Sequence, residues 1–315
     1  MDLVTSSLIL KDTIGYGELS EIKRASDIAT GATVAVKFTN VPKDSRNEVL
    51  ERLCLQMELS HPAICSILRI IETPCNVVVV MEYVKGVDLM TYVAIKGKLG
   101  EDAVSNLLKQ LLSALIYLHD KGIAICDLSP DNIMVIFDEK RAPIKLKILG
   151  FDHIQLENNS KTKTTQTPFF AAPEQILYKQ SSKASDMWSL GAIAYMMVCG
   201  YPPFFESSDL ELYSKVLAAE YQFQRPWWEA VSAPAQNFIR RLLVIDPNDR
   251  YTAKEAVDHY FVNPLSIANP QISESSTTLS RLSKTSGHSP KLKKESKVGK
   301  LKDSLNKFFV KLKVR

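Results

Sequence analysis

Gly15-Tyr16-Gly17-Glu18-Leu19-Ser20-Glu21-Ile22 sets two glycines one residue apart and an aliphatic residue five positions after the second. Glycines so placed let backbone N–H groups approach phosphate oxygens with no Cβ in the way. Fifteen residues past Ile22, the run Val34-Ala35-Val36-Lys37 ends on a cation. Phosphate binding is the chemistry these two features could serve together. Each also has an ordinary alternative, a Gly-rich hairpin for the first and a solvated lysine on an edge strand for the second. Further on, Asp127 precedes Asn132 by five residues, and Gly150-Phe151-Asp152 follows the alternation Ile144, Leu146, Ile148.

The elements that must hold these residues fall into two groups. Leu8-Ile9-Leu10, Glu21-Ile22-Lys23-Arg24 and Thr33 to Phe38, punctuated by glycines, predict a three-strand meander. A helix is expected from about Ser45 to Leu59, then strands near Ile67–Glu72 and Val77–Glu82. Beyond Gly86 the period changes. Val104, Leu107, Leu108, Leu111, Leu112, Leu115 and Leu118 recur at three- and four-residue steps, which predicts an amphipathic helix. Met187 to Cys199 is the most apolar helix candidate but too short to span a bilayer, and is read as a helix buried on all sides. A β-rich first lobe followed by a mainly helical second lobe gives α+β organisation.

At 315 residues the chain exceeds the usual single core. Its five cysteines (Cys54, Cys65, Cys75, Cys126, Cys199) show no CxxC spacing and are read as reduced, buried thiols, with no metal site implied. No basic n-region with an apolar h-region follows Met1, so a secretory leader is not expected and a cytoplasmic location is. From Arg281 to Arg315 there are twelve Lys/Arg against two Asp/Glu, while the preceding residues hold 27 basic and 33 acidic side chains. Charge this asymmetric marks an interaction tail. Because the charge is confined to the tail, no nucleic-acid partner is expected.

Several further segments appear in a telling order. They are Val80-Met81-Glu82-Tyr83, Asp127-Leu128-Ser129-Pro130-Asp131-Asn132, Ala172-Pro173-Glu174, Asp186 to Gly191, Gly200-Tyr201-Pro202-Pro203-Phe204 and Asp246-Pro247-Asn248-Asp249-Arg250. With the glycine loop and Lys37, they resemble the eukaryotic protein kinase family, most of all its calcium/calmodulin-dependent Ser/Thr group. The resemblance runs from about Leu8 to Val262. It implies a bilobal kinase fold over residues 8–263 (N-lobe 8–84, C-lobe 85–263), followed by a Ser/Lys-rich tail over 264–315. It also implies ATP as cofactor, with Gly15 and Gly17 at the phosphates and Lys37 beside them. Ile22 and Ala35 would roof the adenine and Met134 would floor it. Met81 would stand as gatekeeper before a hinge from Glu82 to Val84, and Asp88 would reach the ribose. Asp127 would occupy the proton-acceptor position and Asn132 a magnesium position.

The catalytic set departs from that pattern. Ile125-Cys126-Asp127 keeps only the carboxylate of His-Arg-Asp, and Gly150-Phe151-Asp152 reverses Asp-Phe-Gly. Gly150 therefore falls where the metal carboxylate belongs, which puts Mg²⁺ binding in doubt. Asp152 is the alternative ligand, although a two-residue step along an extended chain displaces it by about 6–7 Å. Ser129 replaces a lysine that would steady the transferred phosphoryl group. Cys126 replaces the arginine that clamps a phosphorylated activation loop, so Thr162, Thr164 or Thr165 need not act as switches. Counting nine back from His61 puts Arg52 where a helix glutamate should pair with Lys37, with Glu51 beside it and Glu48 a turn earlier. Glu174 and Arg250 match the pair that ties the activation segment to the helical lobe, and Asp186 matches the residue that holds the catalytic loop. Thr167 lies seven residues before Glu174, as in Ser/Thr kinases, and Trp227-Trp228 resembles the helical-lobe pattern of the group.

Two functions remain open at this point. One is a pseudokinase that binds ATP weakly, or without ordinary metal dependence, and signals through protein contacts. The other is an active, atypical Ser/Thr kinase in which Asp152 supplies the metal ligand. In the tail, Leu301, Leu305, Phe308 and Leu312 would line one face of a basic helix over 300–315. That helix could engage a calmodulin-like protein, the kinase lobe or an anionic membrane, or stay a solvated tail. Protein substrates or signalling partners complete the expectation.

Overall fold

Odd and even residues of one strand divide the first lobe into two layers. The strand is β3 (Thr33–Asn40), which follows β1 (Leu8–Gly17) and β2 (Ser20–Asp27). Side chains alternate across a pleated sheet, so neighbours in register share a face. Val34 and Val36 are buried with Ala25, Leu8, Val4, Val78 and Val80 on one side. On the other side, Val77 and Val79 are buried with Val41, Ile67 and Leu53. A strand buried on both faces reads as a continuous apolar run, and Val77 to Val80 is one.

The structure, a computed structural model, describes residues 4, 6–17, 20–136, 144–149, 154–156, 168–206 and 208–264. The chain separates into units 1–263 and 264–315; apart from Pro264, the described residues lie in the first. The basic helix expected over 300–315 lies outside them.

After β3 come α1 (Arg46–Met57), β4 (Ile67–Glu72) and β5 (Asn76–Glu82), giving a five-stranded antiparallel sheet of order β1-β2-β3-β5-β4. α1, β4 and β5 lie within one or two residues of their expected limits, whereas β1 and β2 run longer than the segments that announced them. The second lobe opens with β6 (Val87–Asp88), α2 (Leu89–Lys96) and α3 (Glu101–Asp120). β7 (Ile123–Ala124), β8 (Ile133–Ile136), β9 (Lys145–Ile148) and β10 (Gln155–Leu156) follow. They form a small sheet β6-β8-β9 and a pair β10-β7. Helices α4 (Pro173–Tyr178), α5 (Lys183–Cys199), α6 (Asp209–Leu217), α7 (Ala233–Leu242) and α8 (Ala253–Val257) complete the lobe. This is the bilobal architecture that the motifs implied.

The seven apolar positions read from the spacing of α3 are all buried, together with Ala114. Each buried leucine contributes about 1.5–3 kcal/mol relative to an exposed one. α5 starts earlier than its apolar run, because Ser182 caps it by accepting from the Ser185 amide. It ends at Gly200, which takes φ 92° and lies so close to the carbonyl of Gly97 that a Cβ would stand 1.9 Å from it. Every residue from Ser185 to Cys199 is buried, as expected of a helix enclosed on all sides. Among the described residues no helix is long and apolar enough to cross a membrane. Trp228 packs on Tyr195 of this helix with ring centroids 4.6 Å apart.

One expectation needs correction. Cys65, Cys126 and Cys199 are buried, but Cys54 and Cys75 are exposed. Cys54 lies on the outward side of α1, where the helix period rather than its leucine neighbours decides burial.

Arg250 anchors the lower lobe. Its side chain is fully buried and meets Glu174 through two contacts, Nη1 to Oε1 at 3.0 Å and Nη2 to Oε2 at 3.2 Å. It also donates to the carbonyls of Ala184 and Val244 and lies over the Trp188 ring. Removing one member of a buried pair strands the other charge. Glu174→Ala should therefore cost about 3–5 kcal/mol, read as a lower urea midpoint with unchanged slope.

His61 and His259 give the fold a pH limit. His61 Nδ1 accepts from the Ala63 amide at 3.2 Å, and His259 Nδ1 accepts from the Phe261 amide at 3.1 Å. Burial first, then Lys147 or Arg241, holds each imidazole below its ordinary 6.5. A base whose folded pKa is depressed stabilises the fold above its unfolded pKa and loses that contribution as pH falls. Stability should thus decline on acidification below about pH 6.5, and His61→Gln should flatten the decline in pH-resolved thermal unfolding.

Candidate functional site

Lys37 lies in the middle of β3, hydrogen-bonded on both sides to β2 and β5, so it is not an edge-strand lysine. Its register partners are Ile22 on β2 and Val79 on β5, while Ala35 stands opposite Met81. Ile22, Ala35, Lys37, Val79 and Met81 therefore share one face of the sheet, the face that α1 covers through Leu53. Met81 packs against that same cluster. Beneath β2, Gly15 is opposite Ile22, and a Cβ built on it would meet nothing nearer than Ile22 Cδ1 at 3.7 Å. Gly17 sits opposite Ser20 at the end of β1, and Glu18 and Leu19 lie outside the described residues.

The connection to the lower lobe is tight. Val84 is half-buried, and at Gly86 a Cβ would stand 2.2 Å from the Val135 carbonyl, so only glycine lets the chain cross β8 there. Met134 on β8 faces Asp88 on one side and Lys147 on the other. The Asp88 carboxylate, expected at a ribose, caps α2: Oδ1 accepts from the Thr91 amide and Oδ2 from its hydroxyl, each at 2.7 Å. Asp131 is its acidic neighbour, with a carboxyl pushed up to about 6 by burial first and then by Asp88.

The catalytic-loop segment is held by one carboxylate. Asp186, 1% exposed on α5, accepts from the Ile125 amide through Oδ2 and the Cys126 amide through Oδ1, both at 2.9 Å. His119 Nε2 lies 2.9 Å from Oδ2. Cys126 needs this support because its φ is 67°, a left-handed conformation that costs a non-glycine residue about 1–3 kcal/mol. Its carbonyl accepts from Gln175 Nε2 at 2.9 Å. Downstream, Asn132 Nδ2 donates to the Asp127 carbonyl at 3.1 Å, and the Leu149 amide donates to the Asn132 carbonyl at 2.7 Å. Asp127, Asn132 and the end of β9 are thus brought together. Ser129 is 4% exposed beside them. Gly150, Phe151, Asp152, Thr162, Thr164, Thr165 and Thr167 lie outside the described residues. Among the described residues, no group of three or more His, Cys, Asp or Glu is placed to hold a metal ion.

On α1, Arg52 Nη1 lies 2.7 Å from Glu48 Oε1, one turn away, and Glu51 is exposed on the outer side. Leu53 and Gln56 are the residues that α1 buries.

Two tying residues escaped the sequence reading. Gln175 is 1% exposed and accepts from the Ala172 amide at 2.8 Å while donating to Cys126 and to Ser181 Oγ. A polar residue right after Ala-Pro-Glu, at the third position of a helix that begins with proline, was the available signal. Lys147 pairs with Glu82 and donates to the Ile64 carbonyl at 3.3 Å. Its place between Leu146 and Ile148 gives no local sign of either partner.

Comparison with known proteins places this geometry. The pattern described as "Protein kinase domain" matches residues 8–262, and the chain belongs to that family. It is 34% identical over 264 residues to the calcium/calmodulin-dependent protein kinase type 1B of Rattus norvegicus, covering 82% of this chain and 76% of that one. The type 1 enzyme of Macrobrachium nipponense is 30% identical over 266 residues, covering 84% and 77%. The crystal structure of Rad53 residues 1–466 in complex with AMP-PNP superposes with a TM-score of 0.71 at 32% identity. That match covers 82% of this chain and 66% of the Rad53 chain.

Asp186→Asn removes one of the two acceptors beneath the strained loop. It should cost about 1–3 kcal/mol and speed hydrogen exchange at the amides of Ile125 and Cys126, read by mass spectrometry.

Proposed function

We propose that this kinase-family chain acts as a cytoplasmic pseudokinase. In this reading it holds ATP weakly, or without ordinary metal dependence, and signals through protein contacts. The observation that carries the reading is the loss of cationic groups around a preserved loop. Buried Ser129 and Cys126 stand where a phosphoryl-steadying lysine and a phosphate-clamping arginine are expected. Phosphoryl transfer relies on positioning and charge neutralisation, and loss of one preorganised stabilising group costs about 10²–10³ in rate. Two or three such losses, counting Gly150 at the metal position, bring turnover near the uncatalysed level even if the effects add only in part.

The shared face of Ile22, Ala35 and Met81 supports a bound adenine nucleotide, with Met134 on the opposite side and Glu82 to Val84 as its edge. ATP supplies the phosphates that Gly15, Gly17 and Lys37 would hold. The carboxylates of Asp88 and Asp131 favour cationic segments of protein partners at this mouth. The tail over 300–315 adds a contact for a calmodulin-like protein or an anionic membrane.

A second reading, an active Ser/Thr kinase, is favoured by the intact Asp127–Asn132 arrangement and its support from Asp186. In that reading Asp152 supplies the metal ligand in place of Gly150. Purified full chain with radiolabelled ATP and a basic protein substrate separates the two. Labelling at background level in both wild type and Asp127→Asn is expected. Labelling that Asp127→Asn abolishes would establish the enzyme instead.

A further inference from the structure

The connection from α1 to β4 meets both lobes around one histidine. His61 stacks on Tyr117 of α3 with ring centroids 5.4 Å apart, and its Nε2 lies 3.1 Å from Ser113 Oγ. The Ser60 amide donates to the Tyr117 hydroxyl at 3.0 Å. Because Nδ1 accepts from the Ala63 amide, the neutral ring carries its proton on Nε2 and donates it to Ser113. A protonated imidazole has two donors and no acceptor, so it would turn an N–H against the N–H of Ala63. Lys147 of β9, itself paired with Glu82 of β5, opposes that second proton, and Lys121 of α3 adds a further cation over the Tyr117 ring. Ala63 leads straight to the site. Its carbonyl accepts from the Ile148 amide at 2.8 Å, and the Ile148 carbonyl accepts from the Cys65 amide at 2.9 Å. The next residue, Leu149, holds the Asn132 carbonyl, and Asn132 holds that of Asp127.

We infer that His61 is a pH-sensitive latch: its neutral ring fastens residues 61–65 to α3 and to the end of β9, and its protonation releases the end of β9 that seats Asn132. The latch requires neither nucleotide binding nor turnover. A ring that must accept one hydrogen bond to stay in place gains its proton more readily once it has left, so the fastened form is favoured above the ordinary histidine pKa and loses that advantage as pH falls below it. Lys147 keeps its own bond to the Ile64 carbonyl at 3.3 Å after the ring is charged. Release is therefore local, a loosening of β9 beneath a connection that stays tethered.

Backbone amide NMR of the isotope-labelled full chain, titrated from about pH 7.5 to about pH 5 while the His61 ring is followed in parallel, tests this. The amides of Ala63, Ile148 and Leu149 should shift with one midpoint, shared with the His61 ring and lying below 6.5. Hydrogen exchange at these amides, corrected for its intrinsic pH dependence, should become about three- to tenfold faster across the same range. His61→Gln, which cannot gain the charge, should abolish both responses, and His61→Lys should exchange fast already at neutral pH. A His61 ring that titrates while the three amides stay unmoved would overturn the latch, as would amide responses that persist in His61→Gln. Where the variants do not fold, wild type decides alone: a midpoint shared by ring and amides supports the latch, and amides that titrate apart from the ring refute it.

Discussion

A carboxylate taken out of water must find donors, and Asp186 finds them in the backbone of the loop that bears Asp127. That exchange organises the lower lobe. It lets Cys126 hold a left-handed conformation, which in turn directs its carbonyl to Gln175 and leads the chain on to Asp127. Gln175 carries the constraint to the start of α4, where Glu174 meets Arg250. Two buried polar residues, Asp186 and Gln175, thus hold one loop, and a third, Arg250, holds Glu174 beside Gln175. Such networks favour a single arrangement, because any partial version leaves a buried group without a partner.

The scaffold was legible because its signals are repetitive. The period of α3 and the alternation within β3 each involve many residues, so one ambiguous position changes little. Ordered motifs then supplied the topology that periodicity cannot give. The site was less legible, for physical reasons that differ from residue to residue. Lys37 could not be told from an edge lysine until β5 was seen to pair with β3. Asp88 offers a carboxylate whose use depends on Thr91, three residues on, and a capping role looks the same as a ligand role until the helix start is located. Gln175 and Lys147 act through partners 49 and 65 residues away, and no local pattern announces such pairs. The exposed thiol of Cys54 shows the opposite failure, where apolar neighbours suggested burial that the helix period denies.

The described catalytic loop is well held yet poor in cations, and these properties have separate origins. Its conformation depends on acceptors beneath the backbone, which are present. Its capacity to steady charge depends on side chains projecting from that backbone, several of which are exchanged for neutral ones. Ser129 and Cys126 are both buried in the loop.

The bridge from Lys147 to Glu82 and to the Ile64 carbonyl spans from the last strand before Gly150 to the end of β5. Because the ammonium grips both a side chain and a main-chain oxygen above it, β9 and the hinge act as one lever. A swing of the upper sheet either carries β9 along or tears this ion pair open.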